Sequence, residues 1–506
     1  MANATISRGF VGGVSLRMAF GFLLVTAVFG IGSSIAQASW SPASEVSAAG
    51  QVASEPKVAI GPDGSTTIVW IEYNASTEAQ NVMAATRLPG SSTFSEPQML
   101  SAPTAETDQA QVATGADGVT TVVWEEEGAS AEIFASTRDQ GSSEFSIPEQ
   151  LSNSEEGGSA PRIATGPDGT VAVSWFRVLS TTPEFTLGVE VALRPGGADQ
   201  DFSDPILLSQ EDRSSLLPDV AIGSKGTVSV AWSAQEESGD FGVQIASRPP
   251  GSVDFSDPLD LASDADAPRL VMGPDDSTTV IWSSAPAGDE TNLQAITRLG
   301  DTGPFSAPVD LAQPGTEPWS EEISMAPDGA TTVVWVGPGE GGSLAVSAST
   351  RPGTSESFAE PVLVGESEDI FLFSPAPQVA SGPTGSTTVA WSSLAGSDAI
   401  IQASTRARTA GAFGPPVSLS LPGQFADDVD IAVGPCRQYA TAAWVAARDE
   451  GDRVIQQASK RVVDCTPALA RPRLVAPRRV RQNRKATFRV RIRNSGDAQV
   501  TGLRVK

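Results

Sequence analysis

Eight polar residues recur at one fixed place in this chain: Lys57, Gln111, Arg162, Asp219, Arg269, Glu322, Gln378 and Asp430. Each stands four residues ahead of a glycine, or of Ala326 in the sixth copy, and each is followed by Val, Ile or Leu. Such a set has two uses. Arg162, Asp219, Arg269 and Glu322 alternate in sign through consecutive copies, as an ion-pair ladder stitching them together would. The same residues gathered at one mouth would bind a polar ligand, with Arg162 and Arg269 anchoring a carboxylate or phosphate. Trp319 lies off the repeat and reads as an exposed loop aromatic, a further ligand contact.

Other chemistry is thin. The chain has no histidine. That removes the commonest general base, the commonest metal ligand and every Ser-His-Asp or Cys-His arrangement. Acidic runs at Glu125-Glu126-Glu127, Glu236-Glu237, Asp264 with Asp266, Glu321-Glu322 and Asp427-Asp428 fall in loops of variable length. Carboxylate oxygens suit Ca²⁺, but no twelve-residue calcium loop is written, and solvated acids are the simpler reading. No cofactor is expected.

The elements that must position these residues are written eight times. The first copy is Pro56-Lys57-Val58-Ala59-Ile60-Gly61-Pro62-Asp63-Gly64-Ser65-Thr66-Thr67-Ile68-Val69-Trp70, and the others end at Trp124, Trp175, Trp232, Trp282, Trp335, Trp391 and Trp444. A short apolar strand, a Gly-Pro-Asp-Gly turn and a β-branched strand make a hairpin. The Trp at a constant strand end reads as packing between repeats. A third strand follows, closed by Arg87, Arg138, Arg194, Arg248, Arg298, Arg351, Arg406 or Lys460. Arg87, Arg138, Arg298 and Arg351 are expected to form solvent-screened ion pairs with the turn aspartates Asp63, Asp117, Asp275 and Asp328 of their own repeats.

A fourth strand is expected to open at Phe94, Phe145, Phe202, Phe255, Phe305, Phe358 and Phe413. The eighth repeat never writes it. The missing copy is at the other end, as Trp40-Ser41-Pro42-Ala43-Ser44-Glu45-Val46. Four strands per repeat of about 50 residues, with one displaced strand, predict an all-β fold, an eight-bladed β-propeller over 39–465 closed by the N-terminal strand. Closure removes the exposed edges an open array would leave. An open array or two smaller propellers is the alternative.

The stretch Phe94-Ser95-Glu96-Pro97-Gln98-Met99-Leu100, with the turn before it, resembles the Asp-box (BNR) motif of sialidase-like propellers. In Thr137-Arg138-Asp139-Gln140-Gly141 the box is one residue too long before Phe145, and Thr86-Arg87-Leu88-Pro89-Gly90 has lost the Asp. The resemblance implies the fold more than the activity. A sialidase would need a Tyr nucleophile partnered by Glu, an acid Asp and three Arg. The only tyrosines are Tyr73 and Tyr439, and they do not assemble that set. A second resemblance lies in 486–506, where Ala486-Thr487-Phe488-Arg489-Val490-Arg491-Ile492-Arg493-Asn494-Ser495-Gly496 is similar to the opening of an immunoglobulin-like bacterial surface repeat of the CARDB or "domain of unknown function 11" kind. This segment is too short for a whole sandwich, so it is read as incomplete, behind a Pro/Arg-rich linker at 466–485.

Residues 1–38 read as a secretory signal: Arg8 and Arg17, an apolar core from Met18 to Ile31, and the small-x-small site Ala36-Gln37-Ala38. Cys436 replaces the turn Asp of the eighth hairpin and Cys465 follows that repeat's third strand. One disulfide between them suits an exported chain. The net charge is −27. Because the two ends are basic, 39–465 is more acidic still, which repels nucleic acid and anionic lipid. These features predict a secreted or cell-surface monomer, not membrane-spanning once mature. It is expected to be a non-catalytic binding scaffold for an extracellular ligand such as a glycan or a surface protein. The alternatives are a degenerate sialidase-like glycosidase or lectin, and a purely architectural spacer.

Overall fold

The computed structural model describes residues 39–461, apart from 129, 154–155, 183–184, 198, 285–290, 313–315, 368–375, 397, 435–438 and 449–450, together with the backbone of 473–475 and 489–491. The expected leader at 1–38, Cys436, Cys465 and most of 486–506 lie outside the described residues.

The regular structure is β, with two single 3-10 turns at Pro274–Asp276 and Glu340–Gly342. Six sheets have four strands each, in chain order and antiparallel, the arrangement of a propeller blade. One sheet of eight strands holds the first and last repeats, joined where Val52 pairs in parallel with Arg453. A separate short pair joins Arg473–Val475, within the expected linker, to Arg489–Arg491.

The second strand of each repeat explains the stacking. In the first repeat Thr66 to Ile71 is buried along its whole length, as a strand covered on both faces must be. Its β-branched residues suit that setting. Val69, Ile71 and Val82 pack against Val122 and Trp124 of the second repeat. Eight such apolar clusters occur, each shared by consecutive repeats. One of them joins Val445 and Ile455 of the last repeat to Ile68 and Trp70 of the first. All eight repeated Trp side chains are buried there, as expected.

The N-terminal strand does pair with the last repeat: Ser44 stands opposite Gln457 and Glu45 opposite Gln456. The bonds around it copy those inside other repeats. In the first repeat Ser95 Oγ accepts from Thr86 N at 3.1 Å and Ser101 Oγ from Val82 N at 3.1 Å. In the last repeat Ser41 Oγ accepts from Ser459 N at 3.1 Å and Ser47 Oγ from Ile455 N at 2.8 Å. The fourth strand does not open at the Phe, however. Its ladder in the first repeat is only Gln98–Met99. The Phe-Ser-Glu-Pro stretch is held by the serine instead, since Pro97 has no N–H to give a ladder.

The repeated arginines are not surface ion-pair partners of their own turns. Arg138, Arg194 and Arg351 are almost fully buried. Most of the repeated guanidiniums lie over the Phe that follows them, for example Arg298 over Phe305 at 4.7 Å and Arg406 over Phe413 at 5.4 Å. Several then donate into the preceding repeat. Arg194 reaches Thr121 at 3.0 Å, Arg351 reaches Thr279 at 3.0 Å, and Arg406 reaches Thr332 at 3.0 Å. Arg87 of the first repeat reaches Thr441 and Ser459 of the last, at 3.3 and 3.2 Å. The turn aspartates serve the turns: Asp117 Oδ1 accepts from Val119 N at 3.1 Å and Asp168 Oδ1 from Thr170 N at 3.1 Å. The ion-pair partner of Asp328 is Arg408 of the next repeat, at 2.9 Å, not Arg351.

Candidate functional site

The eight first strands carry the candidate site. They include Val52–Ile60, Glu106–Thr114, Ser159–Thr165, Ser215–Ile222, Ala265–Met272 and Trp319–Met325. In each of these six the register slips immediately before the recurring polar residue, as between Ser54 and Lys57 or Asp266 and Arg269. The eighth strand, Ala426–Val433, slips between Asp427 and Val429. A bulge leaves one residue unpaired and re-aims its neighbours. Here the residue two before the polar one has left-handed backbone: Glu55 (φ 52), Gln109 (φ 53), Ala160 (φ 56), Leu217 (φ 52), Ala267 (φ 52), Ser320 (φ 52) and Asp428 (φ 51). A proline often comes next, as Pro56, Pro161, Pro218 and Pro268. It costs no ladder bond at a bulge.

Acids close these bulges. Asp428 Oδ2 accepts from Glu55 N at 2.8 Å, Glu125 Oε2 from Ala160 N at 3.0 Å, and Asp266 Oδ1 from Ala267 N at 2.7 Å. Glu125 to Glu127, Asp266, Glu321, Glu322, Asp427 and Asp428 lie in strands and not in the expected loops, and several are engaged by main-chain amides at the bulges. Glu321 accepts from Ser283 Oγ at 3.2 Å, and Asp427 pairs with Arg453 at 2.9 Å. Among the described residues no group of three His, Cys, Asp or Glu side chains is placed to hold a metal ion.

All eight recurring residues are half-buried. Arg269 Nε lies 3.9 Å from Glu322 Oε1 in the next repeat. Burial pushes the Glu322 carboxyl up despite Arg269, whereas the carboxylates of Glu322, Asp219 and Glu321 outweigh burial and hold Arg269 more firmly charged. Burial lowers Arg162, which faces Arg269 as well as Asp219 and Glu322. Its hydrogen bond is to Pro161 O, at 3.4 Å. Asp219 Oδ2 accepts from Leu270 N at 2.8 Å, and Asp430 Oδ2 from Val58 N at 2.7 Å. Both carboxylates thus stitch one first strand to the main chain of the next. Lys57 acts on Asp430, Glu55 and, from the first repeat to the sixth, Glu322. Arg162, Asp219, Arg269 and Glu322 thus act on one another, and Lys57 acts on Glu322 and Asp430. Gln111 holds the same register place, opposite Val123.

Lys57 and Gln378, like Gln111, stand apart from the charged residues that are engaged. Neither side chain makes a hydrogen bond or ion pair with the described residues. Both line a cavity of about 260 Å³, with Ser392, Leu394, Asp427 and Asp428. Trp319 is not in a loop: it opens the strand Trp319–Met325 opposite Val336 and is half-buried. The sequence reading passed over Glu55. Burial, then the charge and hydrogen bond of Asp108, raise its carboxyl to about 7. The legible signal was the acid immediately before Pro56.

No family model matches the chain and no curated relative matches it. Solved structures do. A polysaccharide lyase, an ulvan lyase of family 25, is 10% identical with a TM-score of 0.45, over 73% of this chain and 98% of that one. A sialidase from Streptococcus pneumoniae is 10% identical with a TM-score of 0.37, over 81% and 68%. A protein of unknown function from Dyadobacter fermentans is 12% identical with a TM-score of 0.38, over 61% and 96%.

Proposed function

We propose that residues 39–465 form an eight-bladed β-propeller closed by the N-terminal strand, exported by the leader at 1–38, that acts as a non-catalytic binding scaffold outside the cell or at its surface. The observation that carries the binding reading is the unpaired state of Lys57 and Gln378 in a cavity, where the matching Asp219, Asp430, Arg269 and Glu322 are all engaged. Neither Lys57 nor Gln378 has a polar side-chain atom that is both buried and unsatisfied, so water serves them in the free chain and a ligand can take its place.

The non-catalytic reading rests on how the acids and tyrosines are used. Glu72 accepts from Trp70 Nε1 at 3.1 Å, so it is not held against Tyr73, its neighbour on the opposite strand face. Tyr439 lies against Arg87, 4.9 Å from guanidinium to ring centroid. Cys436–Cys465 remains the proposed disulfide, and the scaffold is proposed to be monomeric and to avoid nucleic acid because of its acidity.

A glycan array run beside a panel of fluorogenic glycosides tests this. Retention of a ligand without turnover, lost in Lys57→Met, is the expected result. Turnover above a buffer blank would overturn the scaffold in favour of a degenerate glycosidase.

A further inference from the structure

The cavity beside Lys57 carries more than a polar label. Its wall presents charges of both signs: the Lys57 ammonium, and the carboxylates of Asp427 and Asp428. Asp427 is already neutralised, because both its oxygens accept from Arg453, at 2.9 and 3.1 Å. Asp428 is exposed and gives one oxygen, Oδ2, to Glu55 N. Its left-handed backbone (φ 51) and that bond hold it in place. What the cavity wall leaves without an ion-pair partner is one cation, Lys57, and one carboxylate, Asp428. Gln378 supplies an amide, Ser392 a hydroxyl, and Leu394 an apolar surface.

A simple anion would satisfy Lys57 and be repelled by Asp428, and a simple cation would do the reverse. A molecule carrying both charges a few bonds apart satisfies both. At about 260 Å³ the space is smaller than the usual range for drug-sized ligands, which leaves room for one small residue and not for an oligomer. We propose that this cavity takes a free α-amino acid with a small apolar side chain. Its carboxylate lies on Lys57, its ammonium on Asp428, and its side chain against Leu394. This rests on the binding-scaffold reading above and names the ligand class of the same site.

Titration calorimetry on the full chain tests it with L-alanine, L-valine and L-leucine. Each is run beside its amide, which lacks the carboxylate, its N-acetyl derivative, which lacks the ammonium, and a neutral monosaccharide. The free amino acid should bind, and both derivatives should be weaker by at least about tenfold, as loss of a desolvated charge pair requires. Lys57→Met should lose the amino acid with only a small fall in the melt, because beyond the cavity Lys57 supports the Asp430, Glu55 and Glu322 carboxylates without a direct ion pair. Equal binding of amino acid and amide, or undiminished binding to Lys57→Met, would overturn the proposal. A monosaccharide that binds alone, and is lost in Lys57→Met, would overturn the amino acid and leave the scaffold standing. No binding of any probe by the wild-type chain would overturn the amino acid proposal and, if the glycan array is blank as well, the scaffold.

Discussion

Lys460 Nζ stands 4.9 Å from the centre of the Trp40 ring, in the place that other repeats give to an arginine over a phenylalanine. The tryptophan comes from the N-terminal strand and the lysine from the last repeat, so the pair joins the two ends of the described fold. Lys460 also donates to Thr405 of the preceding repeat, as the arginines do.

Removing that joint should destabilise the whole molecule. Trp40→Ala is expected to cost about 2–3 kcal/mol, from lost packing against the cluster of Ile431 and Trp444 and a lost cation–π contact. Deleting Trp40–Val46 should produce a much larger fall in thermal midpoint, or aggregation through the bared edge. An unchanged melt after the deletion would mean the N-terminal strand does not close the fold.

Lys460 also predicts a pH dependence. Burial lowers its amine to about 8. Between that value and the ordinary lysine range the unfolded chain holds a proton that the folded one has released. The contribution of this group to stability therefore rises with pH across roughly 8 to 10.5. Urea unfolding of wild type and Lys460→Met at both ends of this window should show a positive slope that the variant lacks.

Glu55 predicts the opposite slope at lower pH. Its carboxyl is raised to about 7, so between the ordinary glutamate value and 7 the folded state binds the extra proton. The stability due to Glu55 is present below that window and is lost as pH rises through it. Glu55→Gln should be indistinguishable from wild type near pH 4, below the window, and more stable than wild type at pH 8. A variant less stable at pH 8 would contradict the assignment.

The arginine ladder separates a buried role from a surface one. Arg351 donates to Pro352 O, Ser355 O, Thr279 and Thr331 at 2.6 to 3.1 Å. Arg351→Met should cost about 2–4 kcal/mol, because it leaves several buried acceptors unmatched. Arg408→Ala, which removes an exposed pair with Asp328, should cost no more than about 1 kcal/mol. Equal costs in chemical denaturation would restore the surface ion-pair reading.

Much of the architecture was legible in the residues alone. The period of Trp70, Trp124 and their successors marks the repeats, and the β-branched run before each Trp dictates a buried strand. The stray copy at Trp40–Val46 points to the last repeat, since it writes the pieces that repeat lacks. These are short-range features, set by propensity and turn chemistry within about 50 residues. The recurring polar position was equally plain, because the residue after it is always apolar and the hairpin turn fixes its place.

What the tertiary structure decided is which of those polar groups is still free. Nothing written within one repeat says that the Arg351 guanidinium serves Thr279 of the repeat before it, because that contact spans 72 positions of sequence. Nor does any single repeat reveal that Asp430 is taken up by Val58 N and Asp219 by Leu270 N while Lys57 is left open. The bulges that aim these side chains arise from the twist and stacking of neighbouring sheets, with only the proline after Glu55 or Ala160 as a trace. Chain periodicity selects the position; the neighbouring repeat, brought alongside only on folding, selects its partner.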